Sequence, residues 1–512
     1  MFGEFLKKLK KIIGLPAAKK IEARPKVIVR KRALELDELA LGWAVGFDDD
    51  QEQNEVLQLK GVKQKHRDTH CYVVGGSGTG KTKFLETLIK QDIDCGFGFG
   101  VIDPHGDLVE DVKGYLYNAQ NSPPNAPQTD FLAENVVLID PTDPALTVAF
   151  NPLEKVSGIS AAEQAGELVS VFKKIWKESW GARMEDLMRN SLIALVEQNL
   201  TLVELPQFLV NDEFRLSVLE KTEHPICRQY FERFNGLNKR TRDEWSESTL
   251  NKTNAFLSDD RIRQILISPQ SSFNLRDIID NGKILLVKLD KGRLKGGADL
   301  LGSLILSKLQ MAAFARSDTL QSERRLFYLY IDEFQNFATD SFIETLAEAR
   351  KYRLALILAH QNLAQLPHEL QASIFTNCGL QAYFRLSRQD SQIMAKEAMT
   401  SLYAQPPGWE ELIQMLQDLP PRYLLVKNKL EGGAIILSSL EMDPPHQKAE
   451  TEERQFQKLL ALAGIGDYYL LDREEVEADY QERCRAREQP DEPTEFAEEK
   501  MIVWHHPSEK KK

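Results

Sequence analysis

A glycine-rich segment has the composition of a phosphate-binding loop. It follows the pattern G-x-x-x-x-G-K-[ST] and consists of Gly75, Gly76, Ser77, Gly78, Thr79, Gly80, Lys81 and Thr82. The glycines let the backbone curve closely, so that successive N–H groups point at phosphate oxygens. The lysine ammonium would lie on the β- and γ-phosphates, and the threonine hydroxyl would coordinate Mg²⁺. A β-branched strand precedes this loop and an apolar-periodic helix follows it, so the pattern predicts an ATP and Mg²⁺ site rather than a chance turn.

Two adjacent carboxylates, Asp332 and Glu333, follow a strongly apolar segment. Such a segment predicts a buried strand, and ligands in open α/β sheets bind where the strands end. Asp332 is placed to hold Mg²⁺, usually through water, and Glu333 to polarise the attacking water. The alternative is a pair of solvated residues at a strand end. Together with the glycine-rich loop, the pair favours ATP hydrolysis.

These residues need a parallel sheet to bring them together. From His70 onward, short β-rich runs alternate with helical patterns, as in βαβ units. Strands are predicted at residues 71–74, 98–103, 136–140, 284–290, 327–332, 354–359 and 380–386, with a closing hairpin at 423–437. Between about 155 and 275 the pattern is helical throughout. We therefore expect an α/β core in two parts, 56–155 and 276–440, with an all-α insertion at 156–275, an arm at 1–55 and an acidic helical or disordered tail at 441–512.

Composition constrains the partners only weakly. The 512 residues carry a formal charge of −12, but 19 acidic and 11 basic residues lie from Glu441 onward, so the rest of the chain is nearly neutral. A local basic path for DNA is compatible with this distribution. The five scattered cysteines include no C-x-x-C pair, which argues against a zinc site and suits a reducing cytoplasm. We find no apolar run long enough to predict a membrane-spanning helix.

An ordered series of motifs follows the predicted strands. It comprises Asp103–Asp107 (DPHGD), Ala149–Leu153 (AFNPL), Tyr330–Phe337 (YIDEFQNF) and Ala359–Gln361 (AHQ). Over about residues 65–440 this series resembles the coupling proteins of type IV secretion and conjugation and their HerA/FtsK relatives. The resemblance implies a RecA-like P-loop NTPase core and an ATP-driven DNA translocase. It further implies a homo-hexameric ring that binds single- or double-stranded DNA and a relaxase or another secreted protein.

The resemblance also implies roles for two further residues. Gln361 resembles the glutamine that senses the γ-phosphate, although a helix-capping role is the alternative. Arg350 resembles the arginine that reaches the active site of the next subunit, where a permanently charged guanidinium would stabilise phosphoryl oxygens. Lys351 and Arg353 are competing candidates for that role, and Arg385 is a weaker one. Alternatively, Arg350 is a cation that only stabilises the C-terminus of its helix.

Basic segments suggest where DNA and a membrane would bind. The best predicted DNA contact is the flexible basic loop at 291–297, followed by the cluster Lys239, Arg240 and Arg242, although both could be ordinary solvated cations. Residues 2–13 form a basic amphipathic pattern that would bind an anionic membrane surface or pack on a neighbouring subunit. We therefore expect a cytoplasmic protein, peripheral on the inner face of the cell membrane.

Two other functions remain open at this point. Coupling proteins commonly begin with transmembrane helices, which this sequence does not show, so a HerA-like DNA translocase in repair or phage defence is the first alternative. The second is an ATP-dependent scaffold that recruits secretion substrates and hydrolyses ATP slowly, without regard to DNA. The complete acidic pair at Asp332 and Glu333 disfavours the scaffold.

Overall fold

The computed structural model describes residues 27–30, 37–48, 51–120, 134–399, 408–442 and 468–488. The amphipathic helix predicted over residues 2–13 lies outside these ranges, as do residues 443–467 and 489–512 of the predicted tail. The described residues form two compact units. The first contains those up to residue 137 and from 275 to 442, and the second contains residues 138–274 and 468–488. The domain boundaries expected near residues 55, 155, 275 and 440 stay predictions.

The described strands form one large sheet and one small ribbon. In chain order they are β1 (Val27–Arg30), β2 (Glu38–Asp48), β3 (Gln51–Lys63), β4 (Cys71–Val74), β5 (Gly98–Asp103), β6 (Val136–Ile139), β7 (Leu146–Thr147), β8 (Ile284–Lys288), β9 (Phe327–Ile331), β10 (Leu354–His360), β11 (Leu380–Tyr383), β12 (Tyr423–Asn428), β13 (Gly433–Ser438) and β14 (Leu471–Asp472). The sheet order is β1-β3-β2-β13-β12-β11-β4-β10-β9-β5-β8-β6, and β7 pairs with β14. The neighbours from β11 through β8 are parallel, which confirms the predicted α/β fold class.

The helices cover this sheet and form most of the second unit. In chain order they are α1 (Gln64–Arg67), α2 (Lys81–Cys95), α3 (Asp107–Gln120), α4 (Ala161–Ile175), α5 (Ala182–Glu197), α6 (Leu205–Val210), α7 (Asp212–Glu220), α8 (Pro225–Asn235), α9 (Lys239–Leu257), α10 (Asp260–Leu266), α11 (Leu275–Asn281), α12 (Lys291–Leu294), α13 (Gly296–Phe314), α14 (Phe342–Glu348), α15 (His368–Asn377), α16 (Arg388–Met399), α17 (Trp409–Asp418) and α18 (Arg473–Glu488). Residues 161–281 are mainly helical. Their first helix begins with a capping box, in which Ser160 and Glu163 bond each other's backbone N–H groups.

The central strands are apolar because both of their faces are covered. Every residue of β4, β5, β9, β10 and β11 is buried. Helices on both sides of a parallel sheet leave no solvated face, so these strands lack polar alternation. The segment Gly296–Asp318 is long and apolar enough to cross a membrane. However, 89% of the 18-residue apolar stretch within it is buried inside the protein. We therefore interpret α13 as a core helix.

The sequence did not indicate the strands that precede β4. We expected the first strand at Cys71, whereas β2 and β3 form a long antiparallel pair that joins the sheet through β13. Residues 57–61 of β3 lie half-buried or exposed, and polar residues dominate the strand. β3 lies next to the edge strand β1, and a strand with little buried apolar surface gives only a weak sequence pattern. The hairpin between β12 and β13 is confirmed, with Asn428 opposite Gly433.

The C-terminal helix α18 is part of the second unit. Leu471, Val476 and Tyr480 pack in a cluster with Ala149 and Ile267. This packing explains why a segment that reads as a charged tail is ordered here, since only a few of its residues contribute to the core.

Arg473 ties this segment to the rest of the unit. It is 8% exposed. Its guanidinium donates to the carbonyl oxygens of Pro141, at 2.8 Å, and Asp143, at 2.9 Å, and to the side chain of Gln264. Burial lowers the pKa of Arg473, and the Asp143 carboxylate partly offsets this effect. A buried cation with these partners is costly to remove, because its partners would be left without donors.

We predict that Arg473→Met destabilises the second unit by about 2–4 kcal/mol, because buried carbonyl groups lose their donors. Arg485→Met is the matched control, since Arg485 is an exposed arginine on the same helix. Hydrogen exchange should show faster exchange in residues 468–488 and in β7 for Arg473→Met alone. Equal protection in the two variants would contradict this role for Arg473.

Candidate functional site

The glycine-rich loop connects β4 to α2 and has the backbone conformations that its glycines allow. Gly78 and Gly80 have φ angles of 70° and 111°, in the left-handed region. A Cβ on Gly75 would lie 2.5 Å from the Cβ of Phe384, so a larger residue cannot fit there. Ser77 is exposed at the tip of the loop. The loop is therefore curved and open at the start of a long helix, as a phosphate cradle requires.

Lys81 and Thr82 are the first two residues of α2. Lys81 is 7% exposed. Its Nζ donates to the carbonyl oxygens of Gly75 at 2.7 Å and Gly76 at 3.2 Å. Burial lowers the pKa of the Lys81 ammonium, against the attraction of nearby Glu333 and Asp332. Thr82 is half-buried, so its hydroxyl is within reach of a ligand on the loop.

Asp332 and Glu333 directly follow β9 and are buried at 6% and 7% exposure. Glu333 has a φ of 47°, a conformation that is costly for a residue with a side chain and is common at functional sites. Burial, together with the negative charges of Glu333 and Asp103, raises the pKa of Asp332 to about 6. This site therefore has an excess of negative charge that Lys81 alone does not balance, and a divalent cation suits it.

The donor set fits Mg²⁺ better than a metal with a full protein cage. Within the described ranges, no group of three or more histidine, cysteine or acidic side chains converges as metal ligands. Mg²⁺ typically takes one or two protein oxygens and completes its shell with water and phosphate. Asp332 and Thr82 could supply those oxygens. Asp103 is already engaged, because its carboxylate accepts from the backbone N–H groups of His105 at 2.8 Å and Val109 at 3.1 Å.

Two glutamine amides hold the Glu333 carboxylate. Gln361, which directly follows β10, donates to Oε1 at 2.7 Å. Gln335 donates to Oε2 at 2.8 Å from the 3-10 turn Phe334–Asn336. Gln361 was predicted from the sequence and Gln335 was not, although the position of Gln335 two residues after Glu333 was a usable signal. Both carboxylate oxygens of Glu333 are thus occupied in this state.

Arg350 lies apart from these residues. It sits in an exposed turn that precedes β10, whereas Gln361 follows the same strand. Because β10 is parallel to β4 and β9, Arg350 is at the opposite edge of the sheet from Lys81. A seven-residue strand spans about 23 Å. Arg350 therefore cannot reach the site of its own chain, and among the described residues it forms no ion pair.

The three alternative arginine and lysine candidates are placed differently. Arg353 bonds Asp68 at 3.2 Å and Lys351 pairs with Glu348 at 3.3 Å, so both have partners within the chain. Arg385 is exposed beside the glycine-rich loop, where its carbonyl accepts from the N–H of Gly76 at 3.0 Å. The Arg385 backbone is therefore at the same edge of the sheet as Lys81.

Arg422 is a second neighbour of the loop that the sequence did not indicate. Its N–H donates to the carbonyl of Thr79 at 2.8 Å, and its φ of 70° is in the left-handed region. A Cβ on Gly80 would lie 3.3 Å from the Arg422 backbone. The guanidinium is about half exposed and pairs with Glu441 at 2.9 Å. The segment before β12 thus supports the loop from outside.

One of the two predicted DNA-binding segments differs in structure from what we expected. Residues 291–297 are not a flexible loop, because α12 covers Lys291–Leu294 and α13 begins at Gly296. The three basic residues of the second cluster lie in the first turn of α9, where Arg242 pairs with Asp212 at 2.8 Å and Arg240 pairs with Glu244. Residues 291–297 are thus mostly helical, although their glycines suggested a loop.

The raised pKa of Asp332 predicts a stability cost that grows with pH. Its folded pKa of about 6 exceeds the ordinary value of 3.8, so the stability falls as pH rises from about 4 to about 6. At about 1.4 kcal/mol per pKa unit, the free energy of unfolding is lowered by about 3 kcal/mol once the pH exceeds about 6. In EDTA, Asp332→Asn should therefore melt at a higher temperature than the wild type at pH 8, and at the same temperature near pH 4. The exposed Asp340→Asn is the control, and no gain for Asp332→Asn at pH 8 would refute the prediction.

Solved structures of a conjugative coupling protein share this fold. The bacterial coupling protein TrwBdeltaN70 in its unbound form is 14% identical, with a TM-score of 0.52 over 75% of this chain and 88% of that chain. TrwB in complex with the GTP analogue GDPNP is 16% identical, with a TM-score of 0.52 over 76% and 89% of the two chains. TrwB with the ATP analogue ADPNP is 14% identical, with a TM-score of 0.51 and the same coverage. No curated protein sequence matches this chain.

A family model also matches the sequence. It describes the DNA-binding domain of type IV secretion-system coupling proteins and matches residues 59–399, more than half of the chain. The matched residues include the glycine-rich loop, the acidic pair after β9 and Gln361. The family that the ordered motif series resembles is thereby confirmed. This chain belongs to the family of type IV secretion-system coupling protein DNA-binding domains.

Proposed function

We propose that this protein is a Mg²⁺-dependent ATPase that translocates DNA for conjugation or type IV secretion as a homo-hexameric ring. The observation that supports this most directly is the arrangement of Lys81, Asp332, Glu333 and Gln361 at the ends of adjacent parallel strands, within a chain of the coupling-protein family. Structures of TrwB in complex with ADPNP and with ADP and Mg²⁺ have the same fold and hold the ligands that this site suits.

The loop residues would bind ATP by its phosphates. The N–H groups from Gly75 to Thr82 surround the phosphate oxygens, and the Lys81 ammonium leaves the loop carbonyls to contact the β- and γ-phosphates. Thr82 and Asp332 would hold Mg²⁺, which neutralises charge on the phosphates when it is bound. The carboxylate of Asp332 is then ionised, because a cation in this buried site reverses the penalty that its neighbours impose.

Glu333 would orient the attacking water and accept its proton on one carboxylate oxygen. Gln335 and Gln361 each donate to one oxygen of Glu333 here, and release of one amide before hydrolysis would make that oxygen a stronger base toward the water. The amide of Gln361 is then free to donate to a γ-phosphate oxygen, which would report the nucleotide state to β10. We assign Glu333, Lys81 and Gln361 to the chemistry within one chain.

A neighbouring subunit would complete the site with Arg350. This residue is exposed at the opposite edge of the sheet, so it can contact a nucleotide only in another copy of the chain. A guanidinium suits this role because it stays charged and can contact two phosphoryl oxygens. Contacts with a relaxase, membrane binding through residues 2–13 and a cytoplasmic location remain predictions of the same proposal.

The proposal predicts that DNA increases the steady-state rate of ATP hydrolysis. Glu333→Gln should lower the stimulated rate by about 100-fold or more while it keeps binding of a fluorescent ATP analogue, because the phosphate contacts remain. Exposed Glu344→Gln is the control. A wild-type rate that neither single- nor double-stranded DNA changes would contradict the translocase and favour a recruiting scaffold.

Arg350 gives a separate test of the ring. Arg350→Ala and Glu333→Gln should each be nearly inactive, yet mixing them should restore part of the hydrolysis, because mixed rings contain interfaces with both groups intact. Lys351→Ala, the neighbouring exposed cation, should stay active alone. If Arg350→Ala alone hydrolyses ATP like the wild type, Arg350 is not the residue supplied between subunits.

A further inference from the structure

The first turn after β8 is joined to the segment that carries Glu333. The Nζ of Lys291 donates to Oδ1 of Asn336 at 3.2 Å and pairs with Asp299 at 2.8 Å. The Lys291 side chain is only about one-third exposed, so it points into the protein rather than away from it. Its backbone N–H donates to the carbonyl of Pro104 at 2.7 Å, which fixes the turn against the end of β5.

Asn336 lies in the same 3-10 turn as Gln335, which holds the Glu333 carboxylate. The residue that follows this turn is packed tightly against α13. A Cβ on Gly302 would lie 2.5 Å from the ring of Phe337, and the Ser303 hydroxyl donates to the Phe337 carbonyl at 3.2 Å. The turn 334–336, which contacts Glu333 through Gln335, therefore cannot shift without affecting α13 or Lys291.

Residues other than glycine have left-handed backbone conformations on both sides of the Lys291–Asn336 contact. Asp290 and Lys295, which flank α12, have φ angles of 41° and 51°, and Glu333 has 47°. Each of these conformations costs free energy that a change in backbone conformation would release. The strained residues thus lie at the ends of residues 291–294 and at the start of residues 334–336, the two segments that Lys291 connects.

The same short helix presents basic groups to solvent. We call residues 291–295 the basic turn. The Arg293 side chain is 65% exposed, and its contact with Asp290 is a solvated pair of little energetic weight. Lys295 is exposed and forms no ion pair with another residue in the described ranges. Exposed cations of this kind, on a short ordered turn, suit contact with the phosphates of DNA.

We propose that Arg293 and Lys295 bind the DNA backbone and that the Lys291–Asn336 contact transmits this binding to Glu333. Lys291 is a positioning residue in this arrangement, since it would act through Asn336. Movement of the basic turn on DNA would shift Asn336, and with it Gln335, which would release one oxygen of Glu333. This inference rests on the proposed function, because it explains how DNA would stimulate hydrolysis.

Asn336→Ala tests the connection, because it removes the amide that Lys291 contacts and leaves the Lys291–Asp299 pair intact. We expect the DNA-stimulated increase in the rate of ATP hydrolysis to fall about tenfold, as for loss of one hydrogen bond to a charged group. The rate without DNA and the DNA dissociation constant, measured by fluorescence anisotropy, should stay within about twofold of the wild type. Asp299→Asn is the matched control, since it weakens the other Lys291 contact and should keep the stimulation.

The basic turn has a test of its own in the variant with both Arg293→Ser and Lys295→Ser. We expect DNA to bind about tenfold more weakly at low salt, and the slope of log K against log salt to fall by about 2. Unchanged binding in this variant, or full stimulation in Asn336→Ala, would overturn the inference while the translocase stands. A wild-type ATPase that DNA does not stimulate would instead overturn the proposed function, and the inference with it.

Discussion

The structure of the candidate site depends on unbalanced negative charge at the end of β9. Asp332 and Glu333 are buried side by side, and the carboxylate of Asp103 lies close enough to raise the pKa of Asp332. Lys81 is the nearby cation, yet its ammonium is bonded to loop carbonyls. Such a cluster is unfavourable without a counter-ion, and Mg²⁺ bound at this site would stabilise it.

The parallel sheet creates this site and, in the function that we propose, would divide the catalytic groups between two subunits. Its strands carry Gly75, Asp332 and Gln361 to one edge, because the carboxyl ends of parallel strands meet there. The same geometry puts Arg350 at the other edge. A single chain therefore holds an incomplete arrangement, and we infer that assembly supplies the missing cation.

The elements predicted correctly from the sequence are those whose structure depends on the local spacing of residue types. The loop from Gly75 to Thr82, the strand before Asp332 and the hairpin around Gly432 all have patterns that allow few alternatives. Prediction from the sequence failed where the determining contacts are distant along the chain. Arg422 and α18 acquire their positions from tertiary contacts. Those contacts have no local pattern, so a single sequence could not predict them.

We propose that ATP hydrolysis at Glu333 moves the protein along DNA. The most direct measurement is displacement of a third strand from a triplex, and of streptavidin from the end of a biotinylated single strand, during ATP hydrolysis. We predict displacement of the third strand, of the streptavidin or of both with ATP and Mg²⁺, and of neither with a non-hydrolysable analogue. DNA-stimulated hydrolysis that displaces neither block would contradict this proposal, because the free energy of ATP would then not be coupled to movement.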